Sequence, residues 1–340
     1  MIRAAAPASD DAASPSFTAI QRRLGARLPG AGGLAQGGAT IEALPTAIEP
    51  PRLSPAAPIE GHAVRALRVE GDPAVGFGAF LDGTQQSRVV HYADGLPIVY
   101  GTVAAVVRVR ANRRLTTWAR APLIERRLYA PGTYLPPDVI DALGDLGVEV
   151  VDTTVPDLEG ELPSPHPLAL LERAVHFVQA DRQRAEQSLA ESWCRVETAP
   201  LFVDGGVSGS ELVATSPCTV GVIKSHRTLY VDGDALRAVL SLRRGQRSSV
   251  FRIAAARRTP VASWYLRLRD PAGRDPMWGL VRVEAADRRA AERPEELTAR
   301  ADLISRWVLA EAAPLALPDG RWDKMVYGIR DCEEFLRAVC

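Results

Sequence analysis

Between Leu168 and Trp193 the chain has neither proline nor glycine, and Leu168, Leu171, Ala174, Val175, Val178, Ala185 and Leu189 recur at helical spacing. That period over so long a stretch predicts one long helix from Pro167 to Trp193. Its apolar face needs another layer to cover it. The residues before it are strand-like. Val75 to Leu81 is a small-residue and apolar run, Ser87 to Tyr92 follows a polar turn, and Ile98 to Arg110 is long and rich in Val. Three such runs joined by short turns predict an antiparallel meander.

After the helix, Pro200 to Val203 and Thr219 to Lys224 read as further strands. A β-β-β-α-β opening is the ribonuclease-H-like order, so the expected fold is α/β, a mixed sheet flanked by helices. Short helices are expected at Pro137–Leu146 and Asp234–Leu242, and strands at Val148–Thr153, Val250–Ile253, Ala262–Leu268 and Met277–Glu284. Leu297–Glu311 and Asp331–Val339 read as helices that close the domain. Residues 1–60 are rich in Ala, Pro, Gly and Ser, with one amphipathic stretch at Phe17 to Leu28. They read as a disordered or loosely docked extension ahead of one domain over 61–340.

Composition sets limits rather than pointing to a function. Lys plus Arg and Asp plus Glu number 41 each, so any nucleic-acid surface must be a local patch. Cys194, Cys218, Cys332 and Cys340 form no Cys-x-x-Cys pair and no zinc-ligand spacing with the histidines, which suits a reducing cytoplasm. The N-terminal residues lack a continuous apolar signal core and no run approaches membrane-spanning length, so a cytoplasmic protein is expected. There is no Walker A sequence, no Gly-x-Ser-x-Gly elbow and no His-Glu-x-x-His helix.

The chemistry-bearing feature is an apolar strand that runs into Asp-Gly, and it occurs twice: Phe80-Leu81-Asp82-Gly83-Thr84 and Phe202-Val203-Asp204-Gly205-Gly206. A strand fixes a carboxylate, and a following glycine permits a sharp turn and a close approach by phosphate. Hard divalent ions take oxygen ligands, so carboxylates converging from several elements suit Mg²⁺ or Mn²⁺. The chain has five Asp-Gly pairs. Those at Asp94 and Asp319 read as loops, and Asp232 as the opening of a helix.

Taken in order, these motifs resemble the NurA nucleases over residues 75–340. The similar segments are the Asp82-Gly83-Thr84 strand, the long helix leading to Asp204-Gly205-Gly206, and Thr219-Val220-Gly221-Val222-Ile223-Lys224. Trp264-Tyr265-Leu266-Arg267-Leu268 and Gly279-Leu280-Val281-Arg282-Val283-Glu284 complete the series. The resemblance implies a ribonuclease-H-like, Mn²⁺- or Mg²⁺-dependent deoxyribonuclease. It implies Asp82 and Asp204 as central metal ligands, with a helix Glu before the second Asp. Glu186 matches best, with Glu172 next and Glu191 third. Asp331, in Tyr327-Gly328-Ile329-Arg330-Asp331-Cys332, takes the place of the family's last ligand, although the family's Tyr-Pro start and Ala-His ending are absent. Lys224 is expected to neutralise phosphate charge. By the same resemblance the substrate is single-stranded DNA or DNA ends, cut endonucleolytically and from 5′ to 3′. The implied partner is a HerA-like hexameric ATPase engaged in DNA end repair, and the implied state is a homodimer.

Two basic clusters, Arg108, Arg110, Arg113, Arg114 and Arg120, then Arg243, Arg244, Arg247, Arg252, Arg257 and Arg258, offer a route for DNA, with Trp118, Trp264 and Trp278 among them. The second cluster has fewer acids nearby and is the better candidate. The alternative readings are a catalytically silent ribonuclease-H-like module binding DNA or a partner, and an Argonaute-type slicer without its guide-binding domains.

Overall fold

A computed structural model describes residues 15–28, 50–112, 114–156, 160–271, 273–288, 290–312 and 326–340. Its first half runs α1 (Phe17–Arg27), β1 (Arg52–Leu53), β2 (Ala57–Pro58), β3 (Ala66–Arg68), β4 (Ala79–Ala93), β5 (Leu96–Ala111), β6 (Arg114–Thr117) and β7 (Leu123–Ala130). Next come α2 (Pro137–Gly144), β8 (Glu149–Asp152), α3 (Pro167–Val196), β9 (Leu201–Asp204), α4 (Glu211–Thr215), β10 (Thr219–Ile223), β11 (Thr228–Leu229) and α5 (Gly233–Leu240). The chain ends with β12 (Gln246–Ser248), β13 (Phe251–Ile253), β14 (Val261–Arg267), β15 (Leu280–Ala286), α6 (Pro294–Glu311) and α7 (Tyr327–Val339). The architecture is α/β, with a large mixed sheet and helices on its faces. Among the described residues no helix is long and apolar enough to cross a membrane.

The residues divide into two compact units, and the chain passes from one to the other within β4, β5, β7 and α3. One unit holds α1, Gln85–Val103 and Glu125–Asp181. Here β4 and β5 form a hairpin through Asp94 (φ 48°) and Gly95 (φ 82°), two left-handed residues that suit a tight two-residue turn. Ile20 and Leu24 of α1 are buried with Val90, Ile98, Leu128, Val139 and Leu143. The amphipathic stretch near the N-terminus is thus a docked helix, while residues 1–14 and 29–49 lie outside the described residues.

The other unit holds 50–84, Ala104–Ile124 and Arg182–Cys340. Its strand order is β2-β13-β14-β15-β10-β9-β4-β5. The pairs β4/β9 and β9/β10 are parallel, while β10/β15, β15/β14 and β14/β13 are antiparallel. Residues 50–60, read from sequence as part of the extension, contribute β1 and β2 to this unit; β1 pairs with β11 and β2 with β13.

Both faces of this sheet are apolar, as strands covered by helices on each side must be. On one face Phe80, Phe202, Val220, Val222 and Trp264 are buried with Val308, Ile329, Cys332 and Leu336 of α6 and α7. On the other, Ala79, Leu81, Leu201 and Val203 are buried with Ala190 and Trp193 of α3, Val213 of α4 and Val239 of α5.

The long helix, the β9 and β10 strands and the two last helices fall where the sequence pattern predicts. The beginning does not. Val75–Leu81 and Ser87–Tyr92 are not two strands around a turn: β4 is one strand of 15 residues, and Asp82-Gly83 lies inside it. The dipeptide is extended here because Gly83 is not at positive φ, and its missing Cβ serves an approach from α3 instead of a turn.

A second glycine sets α7 on the sheet. A Cβ built on Gly328 would lie 2.3 Å from the Phe80 ring. Gly328→Ala is therefore expected to destabilise the fold by about 1–3 kcal/mol through overpacking. Urea unfolding should show a lower midpoint with an unchanged slope; an unchanged midpoint would show that α7 does not rest on Phe80.

Candidate functional site

The pairing of β4 with β9 brings two acids side by side. Ala79 is opposite Leu201, Phe80 opposite Phe202, and Leu81 opposite Val203. One step further in the same register, Asp82 neighbours Asp204. Alternation along a strand puts Asp82 on the face of Phe80 and Asp204 on that of Phe202, which is the α7 side. From α7 comes Glu333. One carboxylate oxygen from each of Asp82, Asp204 and Glu333 lies within 4.8 Å of the others. Among the described residues, this is the group of acids close enough to share an ion.

Asp82 is 7% exposed. Its Oδ1 accepts from its neighbour's N–H, Gly83 N, at 2.8 Å. Burial, and then the adjacent Asp204 carboxylate, push its carboxyl well above the usual range, against the pull of the Lys224 ammonium and the Gly83 N–H. Lys224, just past the end of β10, donates from Nζ to Asp204 Oδ2 at 2.7 Å. Asp204 closes β9, and Gly205 at φ 137° makes the turn after it.

Glu186 approaches from the other face. It sits one turn before Ala190 on α3, and a Cβ on Gly83 would fall 2.4 Å from Glu186 Oε1. Burial raises its carboxyl, the ion pair with Arg182 one turn earlier opposes this, and the Asp204 charge adds to the rise. Glu172 is on the same helix but in the other compact unit, fourteen residues or about 21 Å of helix away. Glu191 is engaged elsewhere, accepting from Ser210 Oγ at 2.7 Å and Gln187 Nε2 at 3.0 Å.

Asp331 stands outside the acidic group. Its Oδ1 accepts from Arg108 Nε at 2.6 Å, and the same guanidinium lies 4.6 Å from the Phe335 ring centre. The pair ties α7 to β5. Helical geometry separates Asp331 from Glu333: at about 100° per residue, Glu333 falls about 40° from Ile329, beside the stripe of Ile329, Cys332 and Leu336, whereas Asp331 is about 200° away. Glu333 was legible as an acid bordering the apolar stripe of α7, whereas the motif pointed to Asp331.

The remaining candidates divide by environment. Asp232 precedes α5 as its N-cap, although its side chain does not cap. Asp319 and Arg113 lie outside the described residues. Glu284 accepts from Arg282 Nη1 at 2.6 Å and Val207 N at 2.9 Å, a structural pairing. Arg110 is bidentate to Glu311, and Arg247 is 1% exposed between Glu60 and Asp302. Trp264 is buried with its indole N–H on Ser305 and offers no stacking surface, while Trp118 is half-buried, donating to Glu197 and packed edge-on against Trp193. Arg114, Arg120, Arg243, Arg244, Arg257 and Arg258 are exposed.

No protein-family model matches the sequence, and no curated protein matches it. Among solved structures, the crystal structure of the NurA nuclease from Sulfolobus solfataricus is similar, at a TM-score of 0.47 and 10% identity, over 80% of this chain and 82% of that one. What this site can do is therefore read from its own side chains. Carboxylates from β4, β9 and α7 form an all-oxygen donor set, with Glu186 beside it, and this suits a hard divalent cation.

The elevated Asp82 carboxyl has a consequence for the metal-free protein. A group whose proton is held more tightly when folded contributes stability below its unfolded pKa, about 3.9, and loses it as pH rises through the folded value. In EDTA, wild type is expected to lose melting temperature relative to Asp82→Asn as pH rises from about 4, the unfolded value, through the raised folded value, and to be the less stable of the two above it. A pH-independent difference, or an Asn variant that is less stable throughout, would count against a strained, charge-crowded site.

Proposed function

We propose that this protein is a metal-dependent nuclease that hydrolyses phosphodiester bonds in single-stranded DNA or at DNA ends. The observation that carries the proposal is the convergence of Asp82, Asp204 and Glu333, where burial and the neighbouring Asp204 hold the Asp82 carboxyl above its usual range against the pull of Lys224. Buried like charges are costly unless a cation accompanies them. Asp82, Asp204 and Glu333 would hold Mn²⁺ or Mg²⁺, with Glu186 completing the shell from the α3 side. Such an ion, when bound, activates water and stabilises charge on the phosphoryl oxygens.

The chain's own groups do the rest. Asp82 and Asp204 are fixed by paired strands, so little reorganisation is needed on binding. Glu333 is held in place by the packing of α7, and Asp331 acts through that packing by anchoring the helix to Arg108. Lys224, hydrogen-bonded to Asp204, is placed to neutralise a non-bridging phosphate oxygen or the charge that develops in the transition state. By resemblance to the NurA nucleases, the same reading extends to a homodimer that works with a HerA-like hexameric ATPase in cytoplasmic DNA end processing.

The test is cleavage of labelled single-stranded DNA with Mn²⁺, Mg²⁺ or EDTA. Wild type should cut only with metal. Asp82→Ala, Asp204→Ala and Glu333→Gln should each lower the rate by at least about 100-fold, an effect expected when a group acting on the transition state is lost. Asp331→Asn should cost less activity and more stability. Wild type that binds DNA but never cuts it, alone or with a HerA-like ATPase, would replace this reading with that of a silent DNA-binding module.

A further inference from the structure

Beside the acidic group, a cleft of about 320 Å³ opens at the carboxyl end of β9. Asp204 and Glu186 form its inner end, Arg182, Gln183 and Gln187 of α3 one wall, and the turn from Gly205 to Ser210 with Arg258 the other. The geometry points to this cleft as the seat of the nucleotide adjoining the bond to be cut, in a single strand, with its phosphate held by Arg258 and Arg182. The inference rests on the nuclease reading and names where its substrate lies.

The charge layout suits a phosphodiester strand. The inner end is acidic and shares Asp204 with the group that would hold the metal; Arg182, ion-paired with Glu186, lies beside it, and the exposed Arg258 lies on the opposite wall. The amides of Gln183 and Gln187 line the cleft, exposed and able to donate to and accept from a base or sugar. Guanidinium groups hold phosphate without reading sequence, which sets register along the strand. The space is at the small end of ligand pockets, about 300–1,000 Å³, a size that suits one unstacked nucleotide.

The turn forming the outer wall is held rigidly. Gly205 N donates to Val222 O at 3.1 Å, Val207 N to Glu284 Oε2 at 2.9 Å, and Ser210 Oγ to Glu191 Oε1 at 2.7 Å. Thr259 N donates to Ser208 O at 3.0 Å, which holds the Arg258 backbone against the turn, and Arg258 Nη1 lies 3.4 Å from Ser208 Oγ. Alanine fits at 209, where an added Cβ would lie 3.6 Å from Gln187 Oε1, while a larger side chain would extend into the cleft. The buried Glu284 carboxylate thus serves the substrate site indirectly, by fixing the wall.

The experiment uses the full chain with a fluorescent oligothymidylate and a duplex of equal length. Binding is followed across a range of salt concentrations, alongside steady-state cleavage. Wild type should prefer the single strand. Arg258→Ala should weaken binding and flatten the log–log salt dependence by about 0.7, the value for one lost phosphate contact on a single strand. Arg258→Lys should restore the slope. Gly209→Leu should raise KM strongly, while Gly209→Ala stays near wild type, and both should keep the Mn²⁺-induced rise in melting temperature. If wild type cuts DNA but Arg258→Ala and Gly209→Leu bind and cut as it does, the cleft assignment is overturned and the nuclease reading stands. If wild type neither binds nor cuts DNA, both are overturned.

Discussion

The site depends on the parallel, in-register pairing of β4 with β9. The pairing sets Phe80 against Phe202, so two residues later it sets one aspartate beside another on the same face of the sheet. The same aromatic residues that bury the core also fix the distance between the two carboxylates. A slip of one residue would turn one acid to the opposite face and dissolve the site. The Phe77, Phe80 and Phe202 rings, in contact at 5.2 to 6.2 Å, make such a slip costly.

Two helices then supply acids from opposite sides of the sheet, and each approach depends on a missing side chain. Gly328 lets α7 settle on Phe80, which carries Glu333 to the two aspartates. Gly83 leaves room for Glu186 from α3. A third glycine, Gly221 of β10, lets the carbonyl of Gly205 come within 2.6 Å of where a Cβ would be, so the turn after Asp204 can fold back over the sheet. Lys224 and Arg182 offset part of the charge, but Asp82 is left buried beside Asp204 with its proton held more tightly than usual. A divalent cation held there, as proposed, would offset that charge more fully than either side chain.

Much of this was legible in the sequence, and the gaps have physical causes. The Pro- and Gly-free stretch identified α3, and the apolar runs into Asp82 and Asp204 located the two strands. The paired strands put these two residues in one acidic group. The Asp82-Gly83 dipeptide misled, because Asp-Gly has the same composition in a turn and at a close-packing point, and only the α3 neighbour distinguishes them. Arg108 and Arg110 looked like a DNA-binding cluster because their partners, Asp331 and Glu311, are about 200 residues away in the chain. Long-range ion pairs leave no local pattern. Glu333 did leave one, an acid bordering Ile329, Cys332 and Leu336, and its carboxylate lies with those of Asp82 and Asp204.

The central claim is that these carboxylates hold a divalent ion, and anomalous diffraction from crystals soaked in Mn²⁺ tests it most directly. The account predicts a peak bounded by oxygens of Asp82, Asp204 and Glu333 at about 2.0–2.2 Å, with Lys224 displaced from Asp204 or turned toward solvent. A peak elsewhere, or none while Lys224 stays on Asp204, would contradict it.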